Sequence, residues 1–246
     1  MPRPGRLIAS VFAASLVLGL LIVASSDPAE AVPLAESKPN PPRPTPTWKP
    51  IPFGDKRERQ TAAYSKRHYG RWAWRLRSPR LIVQHYTTGT EWKSAWNHFA
   101  ANTRNRGELP GTCTHFIIDT DGTVYHLVGL WKRCRHVIGL NWTSFGIEHV
   151  GRSDREVLRN RAQMRSSLRL TLWLMDRYDI RLRNVIGHNE SLVSPFYVER
   201  YEDWRCQTHQ DFTKASMDRY RARVKRLAER YAVVLGKPGK PADNGC

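Results

Sequence analysis

Two short runs of this chain end alike. LIVQH (residues 81–85) and NVIGH (184–188) are both apolar strand-like segments that stop on an imidazole, His85 and His188. Two neutral imidazoles brought together at neighbouring strand ends are half of a zinc site, and a catalytic zinc needs one further protein ligand and one open position. CQTHQDF (206–212) offers His209 and Asp211 ahead of a helix, and only one of them is required. Glu148 lies within SFGIEHV (144–150), an apolar strand where a buried carboxylate is costly unless it has a task. A general base beside an activated water is such a task, and a buried ion pair is the alternative. Strand alternation puts Gly146, Glu148 and Val150 on one face and Phe145, Ile147 and His149 on the other, so His149 is left out of the site. His136, in the loop before that strand, is open to a substrate contact or to a plain surface role. His68, His98, His115 and His126 show no partner pattern and are assigned nothing.

The elements that must position these groups follow from periodicity. Leu81–His85 reads as a strand. Residues 91–104 place Trp92, Ala95, Trp96, Phe99 and Ala100 on one helical stripe. Residues 114–128 form two alternating runs about Asp121-Gly122, a hairpin signal. Then come the strand at 144–150, a long helix over 160–180, the strand at 184–188 and an amphipathic helix over 212–235. Strands interleaved with helices imply an α/β fold, a single mixed β-sheet flanked by helices.

The ends of the chain read differently. Arg3 and Arg6, the 18-residue apolar run from Leu7 to Ala24, and Ala29-Glu30-Ala31 have the form of a signal peptide over 1–31, an uncleaved N-terminal anchor being the alternative. Residues 32–53 hold eight prolines and read as a semi-rigid linker. Residues 54–80 are a lead-in with nine Lys/Arg against two acids, 81–235 the catalytic domain, and 236–246 a flexible tail. A net charge of +18 predicts attraction to polyanions. For an exported chain the expected polyanions are anionic wall polymers rather than a specific nucleic acid. Four cysteines in such a chain permit disulfides, and the hairpin ends pair Cys113 with Cys134, leaving Cys246 free in the tail.

The series LIVQHYT, CTHFIIDTDGTVYHL, RHVIGLNWTSFGIEHVG, NVIGHNES and THQDF resembles, in order, the motifs of the zinc-dependent N-acetylmuramoyl-L-alanine amidases, the family that includes peptidoglycan recognition proteins and phage-lysozyme-type amidases. AYSKRHYG (63–70) is similar to a segment that precedes the domain in actinobacterial members. The resemblance implies a Zn2+ cofactor on His85, His188 and Asp211, with Glu148 as the general base and protonated His209 stabilising the oxyanion. It makes His136, from the family's H-x-G-x-N loop, a substrate-binding residue. Family members carry Lys or Thr two positions before an aspartate ligand and Pro-Gly after it, whereas Asp211 has His209 before it and Phe212 after it, which leaves a swap of those two roles open. The implied substrate is peptidoglycan or its muropeptides, cut between N-acetylmuramic acid and L-alanine by a secreted or envelope-associated monomer. A non-catalytic peptidoglycan-binding module is the alternative.

Overall fold

A computed structural model describes residues 37–246; the signal or anchor segment expected over 1–31 lies outside the described residues. One six-stranded sheet organises them. Its strands are β1 (Thr47–Trp48), β2 (Leu81–Tyr86), β3 (Phe116–Ile118), β4 (Val124–His126), β5 (Ser144–His149) and β6 (Val185–Gly187), in the order β1-β4-β3-β5-β2-β6. β3, β5, β2 and β6 run parallel, so their carboxyl ends share one edge, and β4 turns back against β3 through the Asp121-Gly122 turn, with Gly122 at φ +91°.

The helices are α1 (Asp55–Tyr69), α2 (Trp92–Ala101), α3 (Asp154–Arg159), α4 (Arg161–Tyr178) and α5 (Lys214–Ala228). The helical run expected over 160–180 is α4, entered through its N-cap Asn160, whose side chain accepts from the Gln163 N–H. α3, α4 and α5 cover one face of the sheet. There Ile82, Phe116, Ile118, Phe145 and Ile147 meet Val157, Leu170, Leu174, Met175, Met217 and Val224, all nearly excluded from water. The opposite face carries Leu81, Val83, Ile117 and Ile186 under α2 and a set of loops, in smaller clusters.

Four features go beyond the plain reading of the sequence. The proline-rich stretch is not a free spacer over 37–53: Thr47–Trp48 pairs in parallel with β4, Ile51 is buried, and the Ile51 N–H donates to the Leu127 carbonyl at 3.1 Å. A strand so short between prolines has no periodicity to reveal it. The lead-in folds as α1, whose buried face is Arg57, Thr61, Ser65 and His68 at helical spacing, joined by Ala62, Tyr64 and Tyr69. That face is mostly polar, so an apolar stripe does not mark it. Nor is the basic charge all surface: Arg57, Arg133 and Arg135 are buried, and Arg57 alone bonds the carbonyls of Phe99, Gly111 and Thr112 at 2.8–3.3 Å. Finally, Cys246 is not free. It is bonded to Cys206, as Cys113 is to Cys134, and the tail is held down further by the Ala242 N–H on the Val193 carbonyl and by Asn244 on the Leu192 and Ser194 carbonyls.

Candidate metal centre

His85 occupies the penultimate position of β2, paired in register with Glu148 of β5, so both side chains leave the sheet on the same face at the carboxyl ends of the parallel strands. That edge is where open parallel sheets place ligands. β6 pairs Gly187 with Gln84, and His188 follows at once. Asp211 comes from the loop ahead of α5. A Cβ on Gly187 would overlap the Phe212 carbonyl, so glycine is needed there to let that loop close on His188. The Asn189 N–H then bonds the Asp211 carbonyl at 2.8 Å, and Thr208 Oγ1 donates to the His188 carbonyl at 2.7 Å.

The result is a three-ligand cluster. The donor atoms of His85, His188 and Asp211 lie within 4.8 Å of one another. Asp211 Oδ2 is 3.0 Å from His85 Nδ1, and its Oδ1 is 3.4 Å from His188 Nδ1. Burial lowers the His85 pKa, the opposing pull of Asp211 notwithstanding.

A hydrogen-bond chain fixes where the His85 proton sits. Ser144 Oγ donates to the Leu140 carbonyl at 2.9 Å and must therefore accept from His136 Nε2 at 3.2 Å. His136 Nδ1 is then bare and accepts from His85 Nε2 at 3.0 Å. That leaves the Nδ1 lone pair of neutral His85 facing a carboxylate oxygen at 3.0 Å, an arrangement that calls for a cation between them. Two imidazoles and a carboxylate are a donor set suited to zinc, with a fourth position open.

Both ring nitrogens of His136 are engaged, by His85 and Ser144, so its ring bears directly on the orientation of His85. Gly146 makes room for it, since a Cβ there would press on the His136 ring. His209 is exposed and stacks on His188 with ring centroids 4.7 Å apart. Burial of its inner face and the neighbouring His188 lower its pKa, which disfavours the protonated His209 expected from sequence; the neutral ring offers an N–H donor instead. Glu148 is partly exposed as a residue, yet its Oε2 is sealed from solvent without a hydrogen-bond partner. Burial, with Asp211 adding to it, raises the Glu148 pKa well above the ordinary value, as suits a proton carrier.

Sequence reasoning missed His149. It turns away from Glu148, as alternation requires, but its Nδ1 bonds the His85 carbonyl at 2.8 Å and its Nε2 bonds Ser167 Oγ at 2.7 Å, which clamps the ligand's backbone from behind. The adjacency of His149 to Glu148 on a strand paired with β2 was the available signal.

The family model described as N-acetylmuramoyl-L-alanine amidase matches residues 75–197, half of the chain. The chain belongs to the N-acetylmuramoyl-L-alanine amidase family. This amidase binds peptidoglycan and hydrolyses an amide bond in it. The family match covers His85, His136, Glu148 and His188 and stops short of His209 and Asp211. Among solved structures, the amidase is similar to the endolysine N-acetylmuramoyl-L-alanine amidase LysCS from Clostridium intestinale URNW, at 23% identity over 60% of this chain and 84% of that one, TM-score 0.45. It is also similar to a mutant endolysin from Bacillus subtilis, at 21% over 59% and 84%, TM-score 0.42, and to Drosophila peptidoglycan recognition protein SA, at 20% over 55% and 83%, TM-score 0.41. No curated protein sequence matches the chain.

Proposed function

We propose that the amidase is a zinc hydrolase, with His85, His188 and Asp211 as the metal ligands, cutting between the lactyl group of N-acetylmuramic acid and L-alanine. The observation that carries this reading is the Asp211 carboxylate spanning the Nδ1 atoms of both histidines. Zinc held there would polarise the scissile carbonyl and bring the pKa of a bound water to about 7. Glu148 takes the proton of the attacking water and returns it to the leaving amine, a cycle favoured by its raised pKa and its unpartnered Oε2. Neutral His209, exposed and stacked on His188, donates an N–H to the oxygen that gains charge. Asp211 is the ligand in this assignment because its oxygens face both imidazoles, whereas His209 lies stacked behind one of them.

The proposed location is outside the cytoplasm. The basic start and the apolar run from Leu7 to Ala24 support export through a signal peptide, which delivers the enzyme to the wall polymer. The excess of cations, even with three arginines buried, supports attraction to anionic wall polymers there.

The test is to incubate the purified chain with muropeptides, with and without chelator and zinc re-addition, and to identify products by mass spectrometry. Release of stem peptide with a free L-alanine amino end, lost with chelator and regained with zinc, is expected. Turnover that survives exhaustive chelation would remove the metal from the reading. Zinc titration of Asp211→Asn and His209→Ala assigns the third ligand: the first should lose affinity and the second keep it.

A further inference from the structure

The segment AYSKRHYG lies in α1, ahead of the matched amidase region, and the chemistry described so far leaves it unused. Two of its tyrosines, Tyr64 and Tyr69, are buried, with their rings edge to face at 5.9 Å. Phenylalanine would fill the same space, and burying a phenol is costly unless its hydroxyl is used. Both hydroxyls are used on one side chain. Asn141 Nδ2 donates to Tyr69 OH at 3.1 Å and to Tyr64 OH at 3.4 Å, while Asn141 Oδ1 accepts the backbone N–H groups of His136 at 2.7 Å and Val137 at 2.8 Å. The two backbone donors require the Asn141 oxygen to face the loop, so the amide nitrogen must face the phenols. Asn141 is 3% exposed, so this amide is shielded from solvent.

The rest of the segment fixes the helix end that presents these phenols. His68 stacks on Tyr64 at 4.0 Å and bridges Glu199 at 2.8 Å and Glu108 at 2.9 Å. Ser65 Oγ accepts from Arg133 at 2.6 Å. Gly70 ends α1 in the left-handed region at φ +77°, and the Arg200 guanidinium packs where a Cβ would stand.

We propose that the carboxyl end of α1, through Tyr64 and Tyr69 on Asn141, is a positioning element of the metal centre: it sets the loop from which His136 holds the His85 ring. The proposal rests on His85 being a metal ligand. The relay is short. Asn141 fixes the backbone of His136 on one side, the Leu140 carbonyl and Ser144 fix its ring on the other, and His136 Nδ1 then meets His85 Nε2.

The experiment uses the full chain and three variants: Tyr69→Phe, the double variant Tyr64→Phe with Tyr69→Phe, and, as a control, Thr61→Val. Thr61→Val removes a buried hydroxyl of the same helix that bonds only the Arg57 carbonyl. Zinc affinity is measured against a chromophoric chelator, the ring tautomers of His85 and His136 by long-range proton–nitrogen NMR of the metal-free protein, and folding by circular dichroism. Direct outer partners of a ligand are worth about 10–100-fold in metal affinity, so two steps further out, through Asn141 and His136, the double variant should lose about twofold to fivefold. Tyr69→Phe should lose less, Thr61→Val nothing, and the single-tautomer signals should give way to mixtures only in the phenol variants. A folded double variant with wild-type affinity and unchanged tautomers would overturn the proposal, as would an equal loss in Thr61→Val. Should the wild-type protein hold no zinc, the metal reading fails by itself, and the tautomer spectra still decide whether the phenols position His136.

Discussion

The two faces of the sheet are built by different means. On one, α3, α4 and α5 lay apolar side chains against Ile82, Phe145 and Ile147, and Leu170 and Leu174 are fully buried. On the other, much of the packing around the site is side chain to backbone: Arg135 alone bonds the carbonyls of Asn105, Glu108 and Pro110 at 2.8–3.1 Å, and Asn141 ties two N–H groups of one loop. Apolar packing tolerates exchange of one aliphatic group for another of similar volume, whereas a directed network specifies one loop path. The first face supplies stability. The second supplies the placement on which a metal centre and a proton carrier depend.

The sharpest separation of placement from stability comes at Glu148. Glu148→Gln should lower turnover by about 10²–10⁴-fold while zinc affinity and thermal midpoint stay close to wild type. Substantial turnover in the variant would take the base role from Glu148. A second pair sets the faces against each other directly. Leu170→Ala on the helical face should cost about 2–5 kcal/mol in urea unfolding and leave the folded enzyme's turnover intact. Arg135→Met, which strands several carbonyls, should cost about 1–3 kcal/mol and also reduce turnover. Equal effects on turnover would erase the distinction.

At neutral pH the smallest effect expected is at His115, and it grows only as the pH falls. His115 is buried, with Nε2 donating to the Lys132 carbonyl and Nδ1 accepting from the Gly146 N–H, both at 3.1 Å, so neither nitrogen can take a second proton without breaking a bond. Burial lowers its pKa to about 3 from the ordinary 6.5. A depressed histidine favours the folded state fully above the unfolded pKa, and the contribution is lost as pH falls from 6.5 towards 3. The His115 contribution to that slope should approach about 1.4 kcal/mol per pH unit. His115→Gln should flatten the dependence of unfolding free energy on pH in that window and leave it unchanged above pH 7; an unaltered slope would show that His115 does not carry it.

What was legible in the sequence follows the same division. The α4 stripe and the paired strand ends at His85 and His188 are periodic features, and periodicity survives in one dimension. Parity correctly put Glu148 on the face away from His149. The third member of the cluster was narrowed to His209 or Asp211, and only the closing of the loop against Gly187 turned Asp211 toward both imidazoles. The contact of His136 with Ser144 was not legible, because Ser144 is one of many nearby serines and threonines until the loop is folded. α1 escaped because its buried face is Arg, Thr, Ser and His, and β1 because two residues among prolines carry no pattern. The Cys206–Cys246 bond joins residues 40 apart through a tail with no element to place it.

The span of the metal centre bears on how the molecule comes into being. His85 and Asp211 are 126 residues apart, and they meet only after β6 has docked beside β2 and the following loop has closed. Contacts so distant along the chain are entropically expensive and form late. A partly folded chain therefore presents solitary imidazoles and a lone carboxylate, and the three donor groups come together only as the last event of folding. On refolding, helix signal returns first, and the closing of Asp211 on His85 and His188 marks the moment at which the cluster is complete.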